Sequence, residues 1–357
     1  MKKSDFNLSH LKDIRRLRIP ENRDLSRGLR LNRNEKVTGW PKDFLTDVYK
    51  SKPDYFLSIY PDLSPLYNKI SRHDGIKESN LLLTSGIDGA MKTIWEVYTQ
   101  PGDRIGVPGP TYAMYYVYSK IYRTKLTEIP YKPDTFEIDR RKLKRFLDSK
   151  PKIFFLPNPN QPIEDTFSKD EIYQLAKITK KNGTLLIIDE AYLYFGSETA
   201  ISLVEEFSNL IVMRTFSKGF GMPSIRLGYM ASSEENMEYF SKTRFAHETS
   251  GLSAAVAEYA LDNFEIISDY NSKVQSSRDK IKNLIEGMGY RCHGSLGNYL
   301  LIDLKKKSVL TRFLRTLDEK KIYVKSGFSE PWNNCILITV GPYNKMSKFI
   351  STVSTVL

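Results

Sequence analysis

Three short runs in the middle of the chain contain no polar residue: Ile153-Phe154-Phe155-Leu156, Leu185-Leu186-Ile187-Ile188 and Leu210-Ile211-Val212-Met213. A strand with one polar face can lie against water, but a strand apolar at every position needs cover on both faces, as in a parallel sheet between helices. Helical patterns lie between and around these runs. Asp88 to Tyr98 carries Ala90, Met91, Ile94, Val97 and Tyr98 at helical spacing, and Asp139 to Asp148 reads as a basic helix. A third helix has a capping box at Ser168 and Glu171 and stops at Asn182-Gly183. Further strands are predicted at Asn80–Thr84, Arg104–Pro108, Lys125–Ile129 and Leu227–Ala231. Strands alternating with helices define an α/β fold with a mostly parallel sheet flanked by helices. One or two long helices follow from about 251 to 285. Then come a strand at Asn298–Leu304, a helix at Val309–Glu319 and a strand at Ile336–Val340, a small α+β C-terminal domain. The expected division is an arm at 1–28, a large domain at 29–250 whose N-terminal part packs with the small domain, and connecting helices with the small domain at 251–357.

Composition narrows the function. Two well-separated cysteines, Cys292 and Cys335, and four scattered histidines give no metal-ligand spacing. No apolar run reaches membrane-spanning length and the N-terminus has no secretory pattern, so a reduced cytoplasmic protein with no membrane partner is expected. Lys and Arg number 54 against 42 Asp and Glu, a formal charge of +12. The excess is spread along the chain apart from Arg15-Arg16-Leu17-Arg18, the 140–145 run and Lys305-Lys306-Lys307, so no nucleic-acid partner is expected.

Sites in such sheets lie beyond the carboxyl ends of the strands. Four groups fall there: Ser85-Gly86, Asn160, Asp189, and Ser217-Lys218. The stretch from Arg214 to Gly228 holds one lysine among small, apolar and hydroxyl residues, with Arg226 eight positions on. Alone, Lys218 is equally a solvated loop lysine or a desolvated amine able to form a Schiff base. A phosphate-bearing aldehyde, pyridoxal 5′-phosphate (PLP), would use that amine together with the hydroxyls and Arg226. Ser85-Gly86 is either a plain strand-to-helix turn or an anion site at a helix N-terminus. Asp189, closing a buried strand, either caps that strand or pairs with a cofactor ring nitrogen.

The ordered set of motifs resembles the class I/II aminotransferases of PLP fold type I, most closely the histidinol-phosphate aminotransferases. The motifs are Leu31-Asn32-Arg33-Asn34-Glu35, Tyr60-Pro61, Ser85-Gly86-Ile87-Asp88, Pro110-Thr111-Tyr112-Ala113-Met114-Tyr115, Asn158-Pro159-Asn160-Gln161-Pro162, Asp189-Glu190-Ala191-Tyr192, Thr215-Phe216-Ser217-Lys218, Arg226-Leu227-Gly228, Asn298-Tyr299 and Ile338-Thr339-Val340-Gly341. The resemblance implies PLP linked to Lys218, which also moves the reacting proton. It implies Asp189 on the pyridine nitrogen, Asn160 and Tyr192 on the phenolic oxygen, and Tyr112 stacked on the ring. Gly86, Ile87, Asp88, Ser217 and Arg226 would hold the phosphate. It further implies a homodimer with shared sites, in which Tyr60 reaches the neighbouring subunit's phosphate. Asn34, Lys325 and Tyr112 would face the substrate.

Two departures matter. Leu337 stands where the family places a carboxylate-binding Arg, and Lys325 replaces a second Arg upstream. Lys is a point charge rather than a planar fork, and Leu binds no carboxylate. The expected function is therefore transamination between a small-molecule amino donor and acceptor, one of them a small phosphorylated or otherwise anionic compound. The alternative is decarboxylation of a phosphorylated amino acid.

Overall fold

The computed structural model describes residues 9–14 and 26–357. In chain order it contains β1 (Leu29–Arg30), α1 (Phe44–Lys50), α2 (Ser64–Asp74), β2 (Leu81–Thr84), α3 (Gly86–Tyr98), β3 (Arg104–Gly109), α4 (Ala113–Ile121), β4 (Lys125–Pro130), α5 (Arg140–Asp148), β5 (Ile153–Pro157), α6 (Lys169–Asn182), β6 (Leu185–Asp189), β7 (Leu210–Thr215), β8 (Gly228–Ser232), α7 (Glu234–Ser241) and α8 (Gly251–Asp262). The second region holds α9 (Phe264–Gly287), β9 (Arg291–His293), β10 (Tyr299–Asp303), α10 (Lys307–Glu319), β11 (Ile322–Tyr323), β12 (Cys335–Thr339) and α11 (Ser347–Val356). Much of the arm assigned to 1–28, with its Arg15–Arg18 cluster, lies outside the described residues; the short turn Ser9–Leu11 lies against α4.

Seven strands form one sheet in the order β2-β8-β7-β6-β5-β3-β4. The three apolar runs are its central strands, and their side chains alternate between two separate cores. Phe154, Leu156, Leu186, Ile188 and Val212 face one core, with Leu66 and Ile70 of α2, Leu143 of α5 and Ile172 of α6. Ile153, Phe155, Ile187, Ile211 and Met213 face the other, with Ala90, Ile94 and Trp95 of α3 and Met237 and Phe240 of α7. The two-residue side-chain period of a strand, with apolar residues on both phases, produces this sandwich. The sheet is parallel except at β8, which runs antiparallel to both β7 and β2. No helix crosses over between β7 and β8, so the chain returns antiparallel. The connecting segment 216–227 carries Lys218.

Local signals end the helices as expected. Ser168 and Glu171 form the reciprocal capping box of α6, and Gly183 closes it at φ 69°. The Asp139 carboxylate accepts from the Arg141 and Lys142 amides at the start of α5. In the second region, β12, β10 and β9 form an antiparallel sheet, and β1 pairs in parallel with β11. The Leu31 amide donates to Tyr323 O at 2.8 Å, and the Thr339 amide donates to Leu31 O at 2.7 Å. The N-terminal strap 29–36 is thereby laced to the second region before it reaches the carboxyl edge of the large sheet.

Candidate active site

Lys218 sits in a tight turn directly after β7. The Ser217 amide donates to Thr215 Oγ1 at 3.1 Å, and the Gly221 amide returns to Lys218 O at 3.0 Å. Glycines are needed here: a Cβ on Gly219 would lie 2.6 Å from the Tyr194 ring, and Gly221 holds φ 71°. Lys218 Nζ donates to the Arg33 carbonyl of the strap at 2.8 Å. Burial pushes this amine down to about 8; Lys325 and Arg226 lower it further, while Glu35 and Asp88 oppose them.

Asp189 closes β6 on the same sheet edge and is buried. Its Oδ2 accepts from the Tyr115 hydroxyl at 2.7 Å, and its Oδ1 from the Ala191 amide at 3.0 Å. Burial nevertheless pushes its carboxyl up to about 6, with Asp88 and Glu190 adding to the shift. The same burial raises the Tyr115 phenol well above its ordinary value.

The third group is built where β2 turns into α3. Gly86 has φ 69°, and a Cβ on Gly228 would stand 2.8 Å from Gly86 Cα, so β8 presses directly on the start of α3. A Cβ on Gly86 would lie 3.3 Å from Arg226 Nη2. Arg226, itself left-handed at φ 51°, pairs with Asp88 at 3.8 Å, and Asp88 Oδ1 accepts from Tyr112 Oη at 3.1 Å. A guanidinium is therefore held over the free amides of a helix N-terminus, an arrangement suited to a dianion.

These groups line one cavity of about 1020 Å³, which contains Asn34, Ile87, Asp88, Tyr112, Asn160, Asp189, Tyr192, Ser217, Lys218, Arg226 and Lys325. Gly86 does not line it but lies against the Arg226 guanidinium that does. Tyr60 is outside it, 78% exposed and stacked on His247 at 4.1 Å. The Asn34 Nδ2 donates to Tyr192 Oη at 2.8 Å, which ties the strap to the cavity wall. Asn160 lines the cavity and is held by three hydrogen bonds to its neighbours. Its Nδ2 donates to the Pro110 and Ile163 carbonyls, at 3.0 and 2.9 Å, and its Oδ1 accepts from Thr111 Oγ1 at 2.6 Å. Leu337 is 1% exposed and lies in the core opposite Leu301, away from the cavity. Lys325, joined backbone to backbone with Leu337, does line the cavity. Its amine is half-buried and lowered by that burial. Among the described residues no carboxylate lies within ion-pair distance of it.

Residues 58–353 match the model of the family described as aminotransferase class I and II. The chain belongs to this family.

Among the relatives of this aminotransferase is a histidinol-phosphate aminotransferase of Thermotoga maritima, 28% identical over 86% of this chain and 88% of the relative. A dihydroxyacetone phosphate transaminase of Campylobacter jejuni is 30% identical over 89% of this chain and 87% of its own. The histidinol-phosphate aminotransferase of Sinorhizobium meliloti, solved with pyridoxal 5′-phosphate, superposes with a TM-score of 0.83 at 22% identity, covering 92% of each chain. This aminotransferase has the fold of the PLP enzymes and uses pyridoxal 5′-phosphate. The cavity fits that cofactor: a desolvated amine, a buried carboxylate and a helix-end anion cradle face one space. Tyr115 carries an Asp189 contact that its motif alone does not reveal, although Tyr112 and Tyr115 stand one helical turn apart. The Arg33 carbonyl has no sequence signal, since every residue carries one.

Proposed function

We propose that this aminotransferase moves an amino group to or from a small phosphorylated amine or ketone that lacks an α-carboxylate. The observation that carries this reading is the pairing of an intact Lys218–Asp189 cavity with Leu337 buried in the core and Lys325 on the wall. With Leu337 in place of the family's Arg, an α-carboxylate would meet only the point charge of Lys325 at that part of the wall.

When bound, PLP supplies an aldehyde for the amine and a ring that accepts electrons from the substrate carbon. Lys218, with its amine at about 8, holds the cofactor and later moves the proton at the reacting carbon. Asp189, shielded from water, keeps the ring nitrogen protonated. Tyr192 serves the phenolic oxygen. Asn160 reaches the same oxygen only by giving up a carbonyl partner. Tyr112 covers the ring, and Gly86, Ile87, Asp88, Ser217 and Arg226 take the cofactor phosphate. Asn34 orients Tyr192 and faces the substrate. Exposed Leu57 and Tyr60, at 76% and 78%, support a homodimer in which Tyr60 completes the neighbouring site. The division at about residue 250 and a cytoplasmic location, which two unpaired buried cysteines suit, belong to the same reading.

The test is a donor panel read by the absorbance of the bound cofactor. Phosphorylated amines should discharge it faster than the matching amines without phosphate. A panel in which no phosphorylated amine does so contradicts the reading. Leu337 also favours a second reaction, loss of a weakly held carboxylate as carbon dioxide. Carbon dioxide released from phosphoserine or phosphothreonine without an acceptor would establish it.

A further inference from the structure

The lysine Lys36 in the cavity wall is used by none of these steps. Lys36 lies two residues beyond Asn34 on the strap and lines the same cavity. Its methylene stem packs on the turn that carries Lys218: a Cβ on Gly221 would meet Lys36 Cδ at 2.8 Å. Its Nζ stands over the Tyr270 ring, 3.2 Å from the centroid, with the Trp40 ring at 5.3 Å. The two rings fix the direction of the amine but leave its charge uncancelled.

The nearest acidic influence is Asp269, which is already paired with Lys273 at 2.6 Å. Among the described residues no carboxylate lies within ion-pair distance of Lys36. Burial pushes its amine down to about 8. A half-buried cation without a counter-ion is costly unless an anion arrives to pair with it. The electrostatic surroundings also separate the cavity cations. Lys325 and Arg226 act on Lys218, whereas Lys36 is set among Asp269 and Lys273. Of the two wall lysines other than Lys218, Lys325 acts on the reaction centre and Lys36 stands apart from it.

We infer that Lys36 is a specificity-determining residue that binds an anionic group at the far end of the substrate, away from the reacting amine. This inference rests on the proposed reaction and adds the length and charge of its substrate: an amine whose terminal phosphate or carboxylate reaches the Trp40 side of the cavity, where Lys36 lies.

The test uses holoenzyme and pairs of probes, ω-aminoalkyl phosphates of increasing length against the matching amino alcohols. The reading is the ratio of their rate constants for discharging the bound cofactor. In the wild type the phosphates should be preferred. In Lys36→Met, which keeps the packed stem, that preference should fall by roughly 10- to 100-fold, the range of one charge-assisted hydrogen bond. Lys36→Arg should restore most of it. Lys36→Gln is a second charge deletion, compared at equal cofactor occupancy. A purely packing role slows both probes equally and leaves the ratio unchanged, which overturns the inference while the reaction stands. Wild-type holoenzyme that converts neither probe overturns the reaction and the inference together.

Discussion

The Tyr115 hydroxyl donates to Asp189 Oδ2 at 2.7 Å, from a phenol that is itself fully buried. The bond counteracts the burial that drives the Asp189 carboxyl upward. Tyr115→Phe should raise that carboxyl further, leave less of it ionised at neutral pH, and weaken cofactor binding about tenfold, the scale of one hydrogen bond to a charged group. Titration of apoenzyme with the cofactor measures this. Unchanged affinity would show that the phenol is merely packed there.

Asp189 also makes an empty site unstable. Its carboxyl moves from 3.8 to about 6 on folding, so its contribution to stability is greatest below pH 4 and is lost as pH rises through 6. Apo Asp189→Asn should therefore be more stable than apo wild type at pH 8, by at most about 3 kcal/mol, while binding cofactor more weakly. Urea unfolding of both apo proteins at pH 5 and 8 checks the sign.

The Lys218 amine at about 8 gives the proposed capture of the aldehyde a pH dependence. The neutral fraction grows about fivefold between pH 7 and 8, and the rate of holoenzyme formation should follow it. Lys325 is one of the groups holding that amine down. Lys325→Met should therefore shift the rise to higher pH. Stopped-flow mixing of apoenzyme with cofactor across pH 6.5 to 9.5 (roughly one and a half decades either side of the midpoint) reads both effects.

Arg214 is buried between two carboxylates behind the Lys218 turn. Its Nε reaches Glu190 at 2.9 Å, its Nη1 pairs with Asp74, and the Tyr229 hydroxyl donates to Asp74 at 2.7 Å. Arg214→Met strands both acids, and should cost about 3–5 kcal/mol in a denaturant titration.

Strand and helix types, and the sheet edge on which the site is built, were legible because they depend on local pattern. Fully apolar runs demand two covered faces, and the Ser168–Glu171 pair marks a helix start by itself. The antiparallel turn of β8 was less visible, since it depends on what the 216–227 loop lacks. The helix α7 is also quiet, because only Met237 and Phe240 of its short span enter the core together with Asn236. In the site, Lys218 and Asp189 were legible as residue types at strand ends and Arg226 by its spacing from Lys218, and all three line one cavity. The Arg33 carbonyl, the commitment of Asn160 to Pro110 and Ile163, and the Lys36 cradle were not. The first and the last depend on the strap 29–36 being drawn across the sheet edge by pairing with residues about 300 positions away, such as Thr339 to Asn34, while Asn160 depends on the loop after β5 meeting Pro110.

The amine proposed to join the cofactor aldehyde is that of Lys218. Borohydride reduction of the holoenzyme followed by peptide mapping tests this most directly. A single stable cofactor label is expected on Lys218, and none in Lys218→Ala. A label on Lys36, Lys325 or any other lysine, or a wild-type protein that takes up no cofactor, would contradict it.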